Sequence, residues 1–238
     1  MDLLLDPPLP AAENMRRDDA LLARGEPVLR LYGWTPEAIS LGNSQRLDEI
    51  DATAVREYHL EVVKRGTGGG GILHNASEVT YSVVVPIDHP DLPRGLPASF
   101  AYLGGGVRTA LRALGLPAEL ESVPDLTRDA LCYVRQQGTN LVVRGRKISG
   151  GAQRRTRRAV LQHGTVIVDR DEARLARVFQ TPEANVTARV TSLRLEGIDP
   201  TRTALVAALV RGFATDLAAL GPLVPIAWDP AWDALPPW

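Results

Sequence analysis

Between Gly66 and Gly71 the chain carries five glycines in six positions, interrupted only by Thr67 and led in by two cations, Lys64 and Arg65. Few side chains stand there to block a ligand, glycine reaches backbone dihedrals that other residues resist, and the main chain can be approached closely. A glycine run beside Lys and Arg therefore reads as a cradle for an anion or a carbonyl oxygen. The second residue with chemistry to offer is Cys132, the single cysteine. It excludes an internal disulfide and a Cys-cluster metal site, and leaves either a buried structural thiol or a reactive one. His74 and His163 lie near strand ends, and two histidines do not make a zinc site.

Gly66, Gly68 and Gly71 also satisfy the dinucleotide pattern G-x-G-x-x-G, but that motif needs a helix to follow, with its N-terminus on the pyrophosphate. Here Glu78 to Val85 follows, β-branched and aromatic and ended by Pro86, which reads as a strand. The Rossmann reading fails on that context, and no Gly-Lys-Ser/Thr is present to make a P-loop.

Several elements must position these residues. Pro7 to Pro10 reads as an extended lead-in and Ala11 to Arg24 as a helix closing at Gly25. Val28 to Tyr32 and Ala38 to Gly42, separated by Gly33 and Pro36, predict a hairpin. Asp48 to Tyr58 reads as a helix delivering the chain to a strand at Leu60 to Val63, with the glycine loop at its end. Phe100 to Leu114 keeps a helical apolar spacing despite Gly104, Gly105 and Gly106. Pro117 to Asp129 reads as a strand and a loop, Asn140 to Arg144 and Lys147 to Ser149 as strands turning at Gly145, and Val160 to Asp169 as another strand. Helices at Asp171 to Phe179 and Thr201 to Leu220 precede an irregular tail. Short strands with unevenly spread helices give an α+β fold, not a strict βαβ alternation.

At 238 residues, 45% hydrophobic and 23% charged, the chain can bury a real core and is expected to form one domain over residues 1–238. A net charge of −1 gives no global pull toward nucleic acid or membrane. The acids and prolines of its first fifteen residues do not suit a secretion signal, and no run reaches the length of a membrane span. A cytoplasmic monomer is the expectation.

Six ordered motifs carry a resemblance. The glycine stretch, GRKISGGAQRR (Gly145 to Arg155) and LQHGTVIVD (Leu161 to Asp169), with AAENM (Ala11 to Met15), LRLYGW (Leu29 to Trp34) and SLGNSQ (Ser40 to Gln45), resemble the biotin/lipoate protein ligase catalytic domain. The resemblance implies a mixed sheet flanked by helices, similar to class II aminoacyl-tRNA synthetase cores, with a catalytic core over residues 24–214 and the acyl chain in an apolar tunnel under the glycine loop.

Within that family two chemistries compete. Lipoate-protein ligases use ATP and magnesium to make a lipoyl-adenylate; octanoyltransferases take the acyl group from octanoyl-acyl carrier protein through a cysteine and need no cofactor. Cys132 lies fifteen residues before Lys147, a spacing similar to that of the nucleophilic cysteine and its lysine in the transferases. EVTYSVV (Glu78 to Val84) also resembles the transferases, whereas Gly70, where they often carry arginine, is ligase-like. Transfer is the preferred reading and ligation the alternative. The resemblance implies Cys132 and Lys147 as catalytic residues. Lys64, Arg65, Gly68, Gly69, Gly70, Gly71, His74 and His163 are implied as substrate-binding, together with Gly150, Gly151 and Ala152, whose backbone N–H groups are candidates for an oxyanion hole. An ammonium within about 4–6 Å favours a thiolate. The implied acceptor is a lipoyl-bearing lysine, on the glycine cleavage H protein or a dehydrogenase E2 lipoyl domain.

Arg144 to Arg158 holds seven cations and no acid in fifteen residues. With no helix-turn-helix segment before the motifs and few aromatics nearby, it reads as a docking surface for acidic carrier proteins and not for nucleic acid.

Overall fold

The computed structural model describes residues 1–123, 129–134 and 138–235. The strands are β1 (Asp2–Leu9), β2 (Val28–Trp34), β3 (Ala38–Leu41), β4 (Glu61–Lys64), β5 (Ile72–His74), β6 (Val79–Pro86), β7 (Ala118–Val123), β8 (Gly138–Val143), β9 (Arg146–Arg155), β10 (Ala159–Val166) and β11 (Val224–Ile226). The helices are α1 (Ala11–Arg24), α2 (Ala52–Glu57), α3 (Leu96–Ala113), α4 (Glu172–Phe179), α5 (Glu183–Arg189) and α6 (Arg202–Asp216). The expected loop at residues 124–128 and the end of the tail, 236–238, lie outside the described residues.

Eight strands form one mixed sheet in the order β11-β1-β2-β6-β10-β9-β8-β7, parallel at its β11-β1-β2 end and antiparallel beyond. A small sheet, β4-β3-β5, stands beside it. Alternation along β6 explains how the large sheet is covered. Val83 and Val85 face α3 and α6, in a core with Leu103, Val107, Leu209 and Phe213. Val84 faces the other way, with Leu21 and Leu22 of α1. Both faces are therefore apolar, which is why β6 reads as a nearly continuous buried run. The small sheet packs its Ile39, Leu41 and Ile72 against Leu175, Val178 and Phe179 of α4.

The α3 glycines have a packing reason. A Cβ on Gly106 would collide with the Phe213 ring, and one on Gly212 with the Gly106 carbonyl oxygen, so α3 and α6 cross at near backbone contact. The helix keeps its glycines because the crossing repays their propensity cost of roughly 1 kcal/mol each.

Several expectations are corrected. β2 and β3 form no hairpin: β1 and β6 already occupy both edges of β2, and β3 pairs instead with β4 and β5. The lead-in is part of a full strand, β1, whose prolines fall at a register irregularity between Leu5 and Pro8. The helix expected from Asp48 shortens to a 3₁₀ turn followed by α2, because Asp51 caps α2 by accepting from Thr53 N (2.7 Å) and Ala54 N (3.0 Å). The tail is not irregular throughout: β11 extends the sheet, and Trp228 and Trp232 lie 4.5 Å under the guanidinium groups of Arg17 and Arg24 on α1. Among the described residues no helix is long and apolar enough to cross a membrane.

Candidate active site

The glycine loop leaves β4 and is held from within by Arg65. This side chain is 3% exposed and donates to Ser40 O (2.7 Å), Thr67 Oγ1 (3.1 Å), Gly68 O (2.8 Å) and Gly70 O (2.7 Å). A buried guanidinium bonded to backbone carbonyls fixes the loop, a task beside the anion cradle expected of it. Lys64, one residue earlier, points outward and is exposed, away from the cavity described below.

The loop is stitched to the segment carrying the thiol. Gly71 N donates to Ala130 O at 2.8 Å, and Cys132 N donates to Gly71 O at 2.9 Å. A Cβ on Gly70 would lie 2.8 Å from Cys132 N and 2.9 Å from Ala130 O, both backbone atoms, whereas one on Gly68 would meet nothing nearer than Asn43 Oδ1 at 4.0 Å. Gly70→Ala must therefore displace Cys132, and a misplacement of about 1 Å can cost on the order of 10²-fold in rate. Gly70→Ala is expected to lose that much in a steady-state transfer assay while Gly68→Ala keeps most of its activity.

Cys132 and Lys147 meet. Lys147 Nζ donates to Cys132 O at 3.0 Å and lies 3.8 Å from Cys132 Sγ, with the two residues 3% and 8% exposed. β9 presents this lysine beside an irregularity in its pairing with β8, where Leu141 opposes Ser149 and Val142 opposes Lys147. A low-dielectric site strengthens the ammonium's hold on a thiolate.

The register of β9 sorts the three candidate oxyanion donors. Thr156 N donates to Ala159 O and Ile167 N to Ile148 O, so by alternation the even positions, including Gly150 and Ala152, face β10 and join its ladder. By the same alternation Gly151 turns its N–H the other way, toward β8. Of the three, Gly151 is the donor that the β10 ladder does not take.

A mainly apolar cavity opens beside the thiol, lined by Cys132, Met15, Tyr32, Trp34, Ile72, His74 and His163 among others. His74 stacks on Trp34 with ring centroids 3.8 Å apart; its Nδ1 meets the Glu78 carboxyl and its Nε2 lies 2.8 Å from Ser40 Oγ. Burial pushes the Glu78 carboxyl well above the usual carboxylate range, and burial with the nearby Arg65 charge holds His74 well below the usual imidazole range.

His163 sits otherwise. Its Nε2 lies 2.7 Å from Thr67 Oγ1 on the glycine loop, and its Nδ1 lies 2.9 Å from Asp18 Oδ2. Asp18 also accepts from Arg30 Nη1 (2.8 Å), Ser82 Oγ (2.9 Å) and Tyr32 OH (3.0 Å). Burial pushes the Asp18 carboxyl up, but the His163 hydrogen bond and the Arg30 charge outweigh it and hold it below the usual range, so it is a carboxylate.

The family model for the lipoyl protein ligase A/B catalytic domain matches residues 10–214, which include the glycine loop, Cys132, Lys147 and both histidines. The chain belongs to this family. An octanoyltransferase LipM of Geobacillus kaustophilus is 39% identical to this lipoyl-ligase-family chain over 76% of its length and 70% of the relative's. One of Bacillus subtilis is 38% identical over 75% and 69%. Among solved structures, a lipoate-protein ligase A bound with ATP superposes with a TM-score of 0.83 at 23% identity, covering 98% of this chain and 91% of its own. A bi-partite lipoate protein ligase from Thermoplasma acidophilum gives 0.78 at 22%, over 98% and 89%. The likeness in structure establishes the fold, the mixed sheet of the lipoate ligases flanked by helices.

Sequence reasoning missed Asp18, Arg30 and Thr67. A signal was present for the first two: Asp18 falls three residues after Met15 and four before Leu22, on the apolar face of α1, and Arg30 stands between Leu29 and Leu31 in a strand buried along its whole length. Ionic residues at core positions are almost always paired.

Proposed function

We propose that this chain is an acyltransferase of protein lipoylation, moving an octanoyl group from acyl carrier protein through a Cys132 thioester to a lysine of a lipoyl-acceptor domain. The observation that carries the reading is Lys147 Nζ at 3.8 Å from Cys132 Sγ beside an apolar cavity. The octanoyltransferase relatives, at 38–39% identity, support the same chemistry.

The Lys147 ammonium favours the Cys132 thiolate, which attacks the carrier's thioester carbonyl while the acyl chain lies in the cavity. The tetrahedral oxyanion is received by the Gly151 N–H; one such donor is worth about 10²–10³ in rate. The carbonyl's bond to the carrier sulfur breaks, and the departing thiolate takes a proton from Lys147. The acceptor lysine then attacks the acyl-cysteine, a C–N bond forms, the C–S bond breaks and Cys132 is returned. A thioester is already activated, so this route uses neither ATP nor magnesium.

The basic segment divides in the fold. Arg144 and Arg146 pair with Glu196 and Lys147 is buried in the site, while Arg155, Arg157 and Arg158 are exposed at the β9–β10 turn. That turn is the part suited to an acidic carrier or lipoyl domain. With octanoyl-loaded acyl carrier protein, a lipoyl domain and no ATP or magnesium, the protein should produce octanoyl-lysine at a rate that falls with added salt. Product formed only from the free acid with ATP would sink the reading in favour of a ligase.

A further inference from the structure

A thioester has two sides. The acyl chain stands on one side of its carbonyl, and the sulfur with the arm that carries it stands on the other, so a thiol that takes the acyl group must have both sides held to align the carbonyl. The transfer reading above, on which this inference rests, gives the apolar cavity to the acyl chain. A second cavity lies on the other side, lined by Leu73, Glu78, Tyr133, Ile167, Arg170 and Arg174 among others.

The register of the large sheet makes the two cavities neighbours. Thr80 and Thr165 stand opposite each other on β6 and β10 and line the first; two residues further on the same face, just past the strand ends, Glu78 and Ile167 line the second. Two residues of strand span about 7 Å. β5 divides the cavities, giving Ile72 and His74 to the first and Leu73 to the second, and the hydrogen bond between His74 Nδ1 and the Glu78 carboxyl crosses from one lining to the other. The nucleophile sits at the same boundary. Cys132 lines the first cavity and the next residue, Tyr133, lines the second.

The second cavity has a different chemistry. Among the described residues five buried side-chain N or O atoms have no hydrogen-bond partner, and three of them belong to its lining: Tyr133 OH, Arg170 Nε and Arg174 Nε. Tyr133 is 2% exposed, and burial pushes its phenol well above the usual range, so the hydroxyl keeps its proton to donate. Both guanidinium groups are anchored through other nitrogens: Arg170 Nη1 donates to Val186 O at 2.7 Å, and Arg174 Nη2 to Glu37 Oε2 at 2.6 Å. The aspartates of the lining are engaged as well, Asp171 accepting from Arg174 N at 2.9 Å and Asp169 from Arg170 N at 2.8 Å. All three unmet groups are donors. Such a lining suits a ligand rich in carbonyl oxygens, and it does not suit the acceptor lysine, whose ammonium would bring three more donors and a positive charge beside two guanidinium groups.

We infer that this second cavity receives the pantetheine arm of the acyl donor, an amide chain ending in the thiol that carries the acyl group, with oxygens of the arm accepting from Tyr133 OH and the two arginine Nε groups while the thioester carbonyl lies at Cys132. When the acyl group has passed to Cys132 the arm leaves as the free thiol. The cavity therefore acts in the acylation half, by selecting the donor.

The test compares two octanoyl thioesters by the rate at which each loads the protein, followed by intact-mass spectrometry: octanoyl-pantetheine, which has the arm, and S-ethyl octanethioate, which has none. The wild-type protein should prefer the first. Tyr133→Phe keeps the ring and removes an oxygen with no partner in the chain, and Arg174→Lys keeps the charge opposite Glu37, so both variants should fold. Each should lower the preference, read as the ratio of kcat/KM for the two thioesters, by about 2–10-fold, the reach of one hydrogen bond. An unchanged ratio in both variants overturns the inference, as does a wild-type protein with no preference. Slowing of both thioesters by one factor also overturns it, since that marks only the packing of Tyr133 beside Cys132. Octanoyl-acyl carrier protein is the control for the reading beneath: if it leaves no adduct on the wild-type protein, the transferase reading fails and the inference goes with it.

Discussion

Cys132→Ala is expected to give a folded protein that transfers no octanoyl group. Cys132 packs at the edge of the cluster formed by Ile39, Leu41 and Phe179, and replacing so small a side chain costs about 1 kcal/mol, the centre of the distribution for point variants. The rate effect is of another order. Removing the nucleophile of a covalent mechanism costs on the order of 10⁶, because binding and oxyanion donors cannot substitute for the missing acyl-enzyme. Thermal melting together with the transfer assay checks both halves of the expectation. Lys147→Ala should fall between the two: the thiol remains, but without the ammonium at 3.8 Å its alkylation by iodoacetamide near neutral pH should slow.

The second large effect is on stability. Arg30 is 0% exposed and bonds Asp18 and Asp6, whose side chains are 3% and 7% exposed, while also donating to Asn14 O and Asn14 Oδ1. Arg30→Met fills the space of the side chain but takes from Asp18 its guanidinium partner, whereas Asp6 keeps Arg17 at 2.9 Å. Removing one partner of a buried pair costs about 3–5 kcal/mol, which at roughly 2–4 °C per kcal/mol for a chain of this size is a large fall in melting temperature. Denaturant titration should show the midpoint dropping. The double variant Arg30→Met with Asp18→Leu should lose less than the sum of the two single losses, since the orphaned charge is then gone. A loss under about 1 kcal/mol in Arg30→Met would show that water reaches the pair and that it is no buried ion network.

These two residues also mark where the sequence stops being legible. The apolar spacing of α1, the strand after the glycines and the β8 to β10 run were readable because each follows a local period that packing later rewards. Pairing was not: β3 looks like the second arm of a hairpin until the edges of β2 are known to be taken by strands remote in sequence. The glycine loop was placed correctly at the end of β4, but the hold of Arg65 on its own loop was not legible, because a cation beside glycines looks the same whether or not it also bonds the loop's carbonyls. Taken singly, Asp18 and Arg30 carry no sign of their partners. Only the superposition of α1 on β2 and β10 brings them to His163, across 145 positions in the case of Asp18. Gly150, Gly151 and Ala152 were legible as backbone donors, but which of their N–H groups the β10 ladder consumes depends on a register no local pattern states.

The central claim is that the acyl group rests on Cys132, and intact-mass spectrometry tests it most directly. Incubated with octanoyl-acyl carrier protein in the absence of ATP, the wild-type protein should gain one octanoyl group, released by hydroxylamine as a thioester is and mapped to Cys132 by digestion. Cys132→Ala should gain none. No adduct on the wild-type protein, together with ATP-dependent acylation of a lipoyl domain by Cys132→Ala, would contradict the account.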